Sequence, residues 1–364
     1  MKKAIITILA SAVILAASCT PEDKPAGGGA DNEGTVSSER SFFAKGADIS
    51  WATQMEADGF RFYNRNGEER ECTMLMKEIG MNSIRLRIWV NPKGGWCGKE
   101  DVLAKARRAQ ALGMKIMIDF HYSDSWADPG KQVTPAAWSS YGTEQLTKAV
   151  EDHTTDILNT LKNNGVNVEW VQIGNEVDSG MLHPAGQIAG DSASGFAKLF
   201  NAGAKAAKDV YPGSKIILHI SNGHDSGLYT WYFGLMKAFG VKYDMIGMSI
   251  YPTWWENNGW KAWETNAGKC IDNIRAVAKA FGKPVMICET GMPADEVQMS
   301  AEAMQYLLTE AAKIKECHGV FYWEPEVYGG WKPADYADLG WSSYGMGAFD
   351  SNGRPTAALD PFKN

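Results

Sequence analysis

Phe42-Phe43-Ala44-Lys45-Gly46-Ala47-Asp48-Ile49-Ser50 is the stretch that separates the two folds open to this chain. Phe42–Ala47 is apolar enough for a buried strand, and it runs into Gly46-Ala47-Asp48-Ile49-Ser50. An open, doubly wound sheet would place a glycine-rich phosphate turn after its first strand. No such turn is present, and an aspartate stands in its place. A closed barrel, whose strand ends present single side chains to one shared mouth, fits the stretch better.

Further strand-like runs follow at Ser83–Trp89, Lys115–Phe120, Val168–Ile173, Lys215–Ile220, Met245–Ile250, Pro284–Cys288 and Val320–Trp323. Between them lie amphipathic stretches with apolar residues three and four apart, clearest at Asp101–Leu112, Glu144–Asn163, Gly195–Val210, Trp260–Phe281 and Ala301–Lys315. Gly80, Gly113, Gly165 and Gly282 stand where a helix should stop before the next strand. Eight β-then-α units predict an α/β protein, a (β/α)8 TIM barrel forming a single domain over residues 41–364, with enlarged loops.

The 364 residues are 45% hydrophobic and carry a formal charge of −7, with acidic and basic residues mixed along the chain. Nucleic acid is therefore not an expected partner, because phosphates need a clustered Lys/Arg surface. Aromatic residues are abundant, with 14 Trp, 13 Tyr and 13 Phe. Most belong to the core, but several Trp sit beside Gly, Pro and Asn, where an exposed indole can stack on a sugar.

Met1-Lys2-Lys3 and the apolar run Ala4–Ala17 read as a sorting signal, too short for a comfortable membrane span. The run ends in Leu15-Ala16-Ala17-Ser18-Cys19, which resembles a bacterial lipobox with Cys19 as the lipidated residue. Residues 1–18 are expected to be a lipoprotein signal peptide and residues 19–40, rich in Gly and polar residues, a flexible tether. Acidic residues just after Cys19 resemble an export signal to the outer face in some Gram-negative bacteria. The expected location is the outer membrane at the cell surface, with the lipid anchor as the sole membrane contact and the protein a monomer. Cys72, Cys97, Cys270, Cys288 and Cys317 are too widely spaced for a disulfide framework; one pair could form, and no zinc-site spacing occurs.

In a barrel of this kind the active site is built at the C-terminal strand ends. Here those ends read Asp48; Arg85-Leu86-Arg87-Ile88-Trp89; Asp119-Phe120-His121-Tyr122-Ser123-Asp124; Gly174-Asn175-Glu176; His219; Ser249-Ile250-Tyr251-Pro252; Glu289-Thr290-Gly291; and Trp323-Glu324-Pro325. Each alone has an ordinary structural explanation: a loop glutamate, a satisfied histidine, or arginines neutralising acids in the mouth. Their convergence changes the reading, because Glu176 and Glu289 end the fourth and seventh strands and point into one mouth. Two such carboxylates can hydrolyse a glycoside, one protonated to give its proton to the leaving oxygen and one ionised to attack the anomeric carbon. Asn175 is placed to hydrogen-bond a sugar 2-hydroxyl, and Trp323 offers a floor for the ring.

Trp170-Val171-Gln172-Ile173-Gly174-Asn175-Glu176 and Ile287-Cys288-Glu289-Thr290-Gly291 resemble the strand-four and strand-seven motifs of the clan A retaining glycosidases. Gly46–Ser50, Arg85–Pro92, the long stretch Asp119–Gln132 and Gly319–Pro325 resemble, more narrowly, the arabinogalactan endo-β-1,4-galactanases of glycoside hydrolase family 53. The resemblance covers about Phe42 to Pro361. It implies endo-cleavage of β-1,4-galactan, as in pectic arabinogalactan side chains, with retention of configuration. Glu176 would be the acid/base and Glu289 the nucleophile. Arg87 (preferred to Arg85 as nearer the strand end), Asn175, His219, Tyr251 and Trp323 would support the sugar at the cleavage point. Asp48, Trp89, Asp119, His121, Asp124 and Trp126 are expected around the substrate with them.

The family usually has Ser-Tyr-Tyr-Pro after strand six, where this chain has Ser249-Ile250-Tyr251-Pro252. Some bacterial members bind calcium in a long loop after strand seven. Here Glu289 is followed by the short Thr290–Asp295, so neither a metal nor another cofactor is expected. Two other readings stay open: another clan A endo-glycanase, such as a β-1,4-mannanase or β-glucanase, and a non-catalytic surface glycan-binding lipoprotein.

Overall fold

A computed structural model of the chain describes residues 42–253, 263–339 and 342–363. Eight parallel strands close into a barrel: β1 (Ala44–Asp48), β2 (Ser83–Ile88), β3 (Lys115–Phe120), β4 (Trp170–Ile173), β5 (Lys215–Ile220), β6 (Met245–Ile250), β7 (Val285–Thr290) and β8 (Cys317–Trp323). Each strand pairs with the next in sequence, and β1 closes the ring on β8, from Ala44 beside Gly319 to Asp48 beside Trp323. The closed (β/α)8 barrel agrees with the sequence reading.

Two helices, α1 (Ala52–Ala57) and α2 (Cys72–Ile79), separate β1 from β2. One helix then fills each later crossover: α3 (Lys99–Ala111), α4 (Thr143–Asn163), α5 (Ser194–Val210), α6 (Ser226–Ala238), α7 (Trp263–Phe281) and α8 (Val297–Lys313). Glu71 caps α2 by accepting from the backbone N–H groups of Thr73 and Met74, both at 2.9 Å. The four glycines read as helix stops all adopt left-handed backbone, with φ between 63° and 113°. Sequence periodicity passed over α1, α2 and α6. The first two are short, and in α6 the apolar residues Leu228, Tyr229, Trp231, Tyr232, Phe233, Leu235 and Met236 leave no polar face to set a period.

Outward residues such as Ile84, Leu86 and Ile88 pack under the helices in the main core. A second, inner core of Ala44, Met117, Trp170, Ile217, Met245, Met286, Cys288 and Phe321 fills the lower barrel. Gly46 and Gly247 make room in it: a Cβ on Gly46 would lie 2.3 Å from the Phe321 ring, and one on Gly247 2.7 Å from Ile217. The five cysteines Cys72, Cys97, Cys270, Cys288 and Cys317 are buried, and no disulfide forms among them. Cys19 and the rest of the leader and tether lie outside the described residues.

Candidate active site

Strand side chains alternate between the two faces of a sheet, so every second residue points down the barrel axis. Going up each strand, the inward series changes from apolar to polar: Met117 to Asp119 to His121, Ile217 to His219 to Ser221, Trp170 to Gln172, Met245 to Ser249 to Tyr251, Ala44 to Asp48, Phe321 to Trp323. The lower residues form the inner core, and the upper ones surround a cavity of about 390 Å³ at the C-terminal mouth. Its walls include His121, Trp126, Asp128, Asn175, Glu176, Ser221, His224, Ser249, Tyr251, Glu289, Trp323 and Tyr344.

Alternation alone would turn Glu289 toward the helices, because Met286 and Cys288 face the inner core. The β6–β7 register shifts at this point: Met248 pairs with Ile287 and Ser249 with Glu289, which leaves Cys288 as an extra residue. This bulge lets two consecutive side chains face inward, a common way to aim a residue at an active site. Glu289 thereby meets Arg85 Nη2 at 2.7 Å and accepts a hydrogen bond from Tyr251 Oη at 3.0 Å.

Arg85 is fully buried and is the hub of the mouth. It also binds Asp48 and Asp119, each at 2.8 Å, and donates to Asn175 Oδ1 at 2.8 Å. A charge removed from water needs such partners, since an unpaired one would cost several kcal/mol. Asp119 in turn accepts from Gln172 Nε2 at 2.6 Å and from His121 Nε2 at 2.9 Å. Ala127 N–H donates to His121 Nδ1 at 2.9 Å, so His121 carries its proton on Nε2.

Glu176 sits three residues beyond β4 and takes the left-handed region with φ 42°, after Gly174 with φ 78°. A non-glycine residue in that region is uncommon and is held there by its surroundings. Burial, followed by the charges of Glu289 and Asp178, pushes the Glu176 carboxyl well above the usual carboxylate range. Burial raises Glu289 as well, to about 7, against the opposing pull of the Arg85 guanidinium. The two carboxyls are thus unequal, with the cation on Glu289 and anions around Glu176.

The mouth gathers the strand-end residues Glu176, Glu289, His121, Asn175, Tyr251 and Trp323 on one cavity wall, and Trp126, expected from the family resemblance, lies there with them. His219 lies directly beneath, fully buried. Others expected around substrate stand behind the wall. Asp48 and Asp119 are fully buried ligands of Arg85. Trp89 is fully buried, with Trp126 packed edge-on between it and the cavity at 4.9 Å between centroids. Asp124 accepts from the backbone N–H groups of Asn91 and Ala136, which fastens two loops together. The choice between the arginines is also corrected. Arg87 pairs with buried Glu324, and its guanidinium lies 4.0 Å from the centre of the Trp51 ring, whereas Arg85 is the one on Glu289. Nearness to the strand end misled, because the ion pair is set by the height at which Glu289 enters across the barrel.

Sequence reading missed Gln172, Ser221, His224 and Tyr344 as parts of this region. Gln172 was readable as an inward position, two residues before Gly174. Tyr344, which stacks edge-on against Trp323 at 4.7 Å, comes from a long loop with no local signal.

Comparison with known proteins agrees with this architecture. The chain is 34% identical to arabinogalactan endo-β-1,4-galactanase A of Emericella nidulans over 322 residues, 81% of this chain and 87% of that protein. Among solved structures, fungal β-1,4-galactanases superpose with a TM-score of 0.76 at 30% identity, covering 87% of this chain and 98% of theirs. The GH53 catalytic domain of Ignisphaera aggregans gives 0.77 at 28% identity, covering 88% and 95%. The model of glycosyl hydrolase family 53 matches residues 44–362, from the first residue of β1 to the final turn, and the chain belongs to that family.

Proposed function

We propose that the protein is an endo-acting, retaining glycoside hydrolase that cleaves β-1,4-linked galactan, with Glu176 as acid/base and Glu289 as nucleophile. The asymmetry of the two carboxyls carries this reading. Arg85 and Tyr251 bind Glu289 and favour its ionised form, while Glu289, Asp178 and Asp128 around Glu176 favour a proton there. The substrate follows from family membership and from the galactanases the chain resembles.

In the first step a Glu289 oxygen attacks the anomeric carbon, the glycosidic C–O bond breaks, and the Glu176 proton passes to the leaving oxygen. In the second, ionised Glu176 takes a proton from water, whose oxygen displaces Glu289 and restores the original configuration. Asn175 accepts from Arg85 and donates one N–H to the Ala127 carbonyl at 2.8 Å; its second N–H serves the sugar 2-hydroxyl. Trp323, held edge-on by Tyr344, supplies the stacking face.

The amino-terminal motif supports a companion reading. Residues 1–18 act as a signal peptide, and Cys19 anchors a monomeric catalytic domain to the outer membrane at the cell surface through the tether of residues 19–40.

Incubation with linear β-1,4-galactan, β-1,4-mannan and β-glucan tests the proposal, with products sized by chromatography and their first-formed anomer read by NMR. The expected result is galacto-oligosaccharides of mixed length released as the β anomer. Cleavage of mannan or glucan instead, or an α anomer, would overturn it, and binding without any product would favour the glycan-binding alternative.

A further inference from the structure

We propose that Ser249 is a positioning residue for the acid/base: its hydroxyl, held by the His219 imidazole, is the hydrogen-bond partner that serves Glu176 in both of its protonation states. The inference rests on the reading of Glu176 as acid/base.

Ser249 is 2% exposed and lines the cavity at the top of β6, at the register shift that also turns Glu289 inward. Its Oγ lies 2.8 Å from His219 Nε2. The other imidazole nitrogen, Nδ1, faces two donors, Gln172 Nε2 at 3.0 Å and the Glu176 backbone N–H at 3.4 Å, and one acceptor, Asn175 Oδ1 at 3.2 Å, which already accepts from Arg85 and Gln172. Nδ1 therefore accepts, and Nε2 carries the proton and donates it to Ser249 Oγ. Burial and the nearby Arg85 charge keep this imidazole neutral by driving its pKa well down.

With one lone pair taken by His219, the serine oxygen keeps one proton and one lone pair. It can donate to the Glu176 carboxylate or accept from the Glu176 acid. An imidazole N–H placed directly on Glu176 would serve the ionised form alone. A double displacement needs the acid in its first half and the carboxylate in its second. An intervening hydroxyl meets both needs without a change in the histidine.

The charged and titratable groups around Glu176 are Glu289 from β7, Asp178 on its own loop and Asp128 from the loop after β3, with Tyr251 from β6 and His121 and His224 elsewhere on the cavity wall. The three acids favour the protonated form, and the Ser249 hydrogen bond opposes them. Without it, Glu176 would hold its proton too tightly to act as base.

Ser249→Ala tests this. The alkaline limb of the kcat/KM profile on galactan should rise by about one pH unit, the scale of one hydrogen bond to a charged group. On an aryl galactobioside with an activated leaving group, kcat should fall about tenfold with a matching fall in KM, because the glycosyl-enzyme accumulates. Ser249→Cys, close in size but a weaker donor, should give an intermediate shift and keeps the test open should Ser249→Ala not fold. In a Glu176→Gln background Ser249→Ala should cost almost nothing more. An unmoved alkaline limb, or additive losses in the double variant, would overturn the role of Ser249. Full activity of Glu176→Gln by itself would instead overturn the acid/base reading beneath it.

Discussion

Arg85 Nη2 lies 2.7 Å from Glu289 Oε1 although the guanidinium is wholly closed off from solvent. Asp48, Asp119 and Glu289 share this one cation, so it neutralises part of a charge the barrel could not otherwise hold. Arg87, two residues further along the same strand face, serves a separate acid, Glu324.

The two arginines should therefore fail differently. Arg85→Ala leaves three acids facing one another and removes the ion pair that favours ionised Glu289. It should lower kcat on the order of 10³-fold and move the acid limb of the pH profile upward, because Glu289 then ionises only at higher pH. Arg87→Ala should cost a comparable few kcal/mol of stability, as expected for a broken buried pair, and leave that limb in place. Kinetic pH profiles beside thermal unfolding of both variants check the contrast.

Azide distinguishes the two glutamates. Glu289→Ala prevents glycosyl-enzyme formation, so activity should fall by several orders of magnitude on every substrate, and azide should open a slow single displacement with inverted product. Glu176→Ala should keep more activity on an aryl galactobioside than on galactan, and azide should restore turnover with retained configuration. NMR of the azide adducts reads the outcome, and the opposite pattern would exchange the two roles.

Glu324 and Glu326 form a buried acidic pair behind the mouth. Burial pushes Glu324 up to about 7 and keeps Glu326, beside it, well above the ordinary range. A carboxyl whose folded pKa is raised stabilises fully below its unfolded value, and that contribution is lost as pH rises through the folded one. Stability should thus decline from about pH 4.5 upward through 7. Glu326→Gln, which has no proton to lose, should match the wild type near pH 4 and exceed it on the order of 1 kcal/mol at pH 8. Thermal unfolding at both pH values measures this.

The anchor reading predicts that Cys19→Ala releases the protein from the membrane fraction while activity on soluble galactan is kept. A variant that stays membrane-bound would show that lipidation at Cys19 is not what holds it.

Much of this protein was legible along the chain. Lys115–Phe120, Lys215–Ile220 and Met245–Ile250 are strands with the bounds their apolar runs suggest, because buried parallel strands read as short apolar segments between polar breaks. The strand-end residues Tyr251 and Trp323 reach the cavity for an equally local reason, since inward positions recur every second residue, whereas the adjacent Asn175 and Glu176 both reach it where the backbone turns left-handed at Gly174 and Glu176.

The sequence by itself determined the strand and helix units, the closed-barrel class and the set of side chains offered to the mouth, since all of these follow from periodicities of two and 3.6 residues. Tertiary structure alone decided how those side chains pair. The bulge at Cys288 exists only where β7 meets β6, and it turned Glu289 inward onto Arg85 rather than Arg87. The same register set Ser249 between His219 and Glu176, and a distant loop brought Tyr344 against Trp323. Such relations depend on the height at which non-adjacent strands meet across a closed barrel, a quantity fixed by the stagger of the whole sheet and carried by no local pattern.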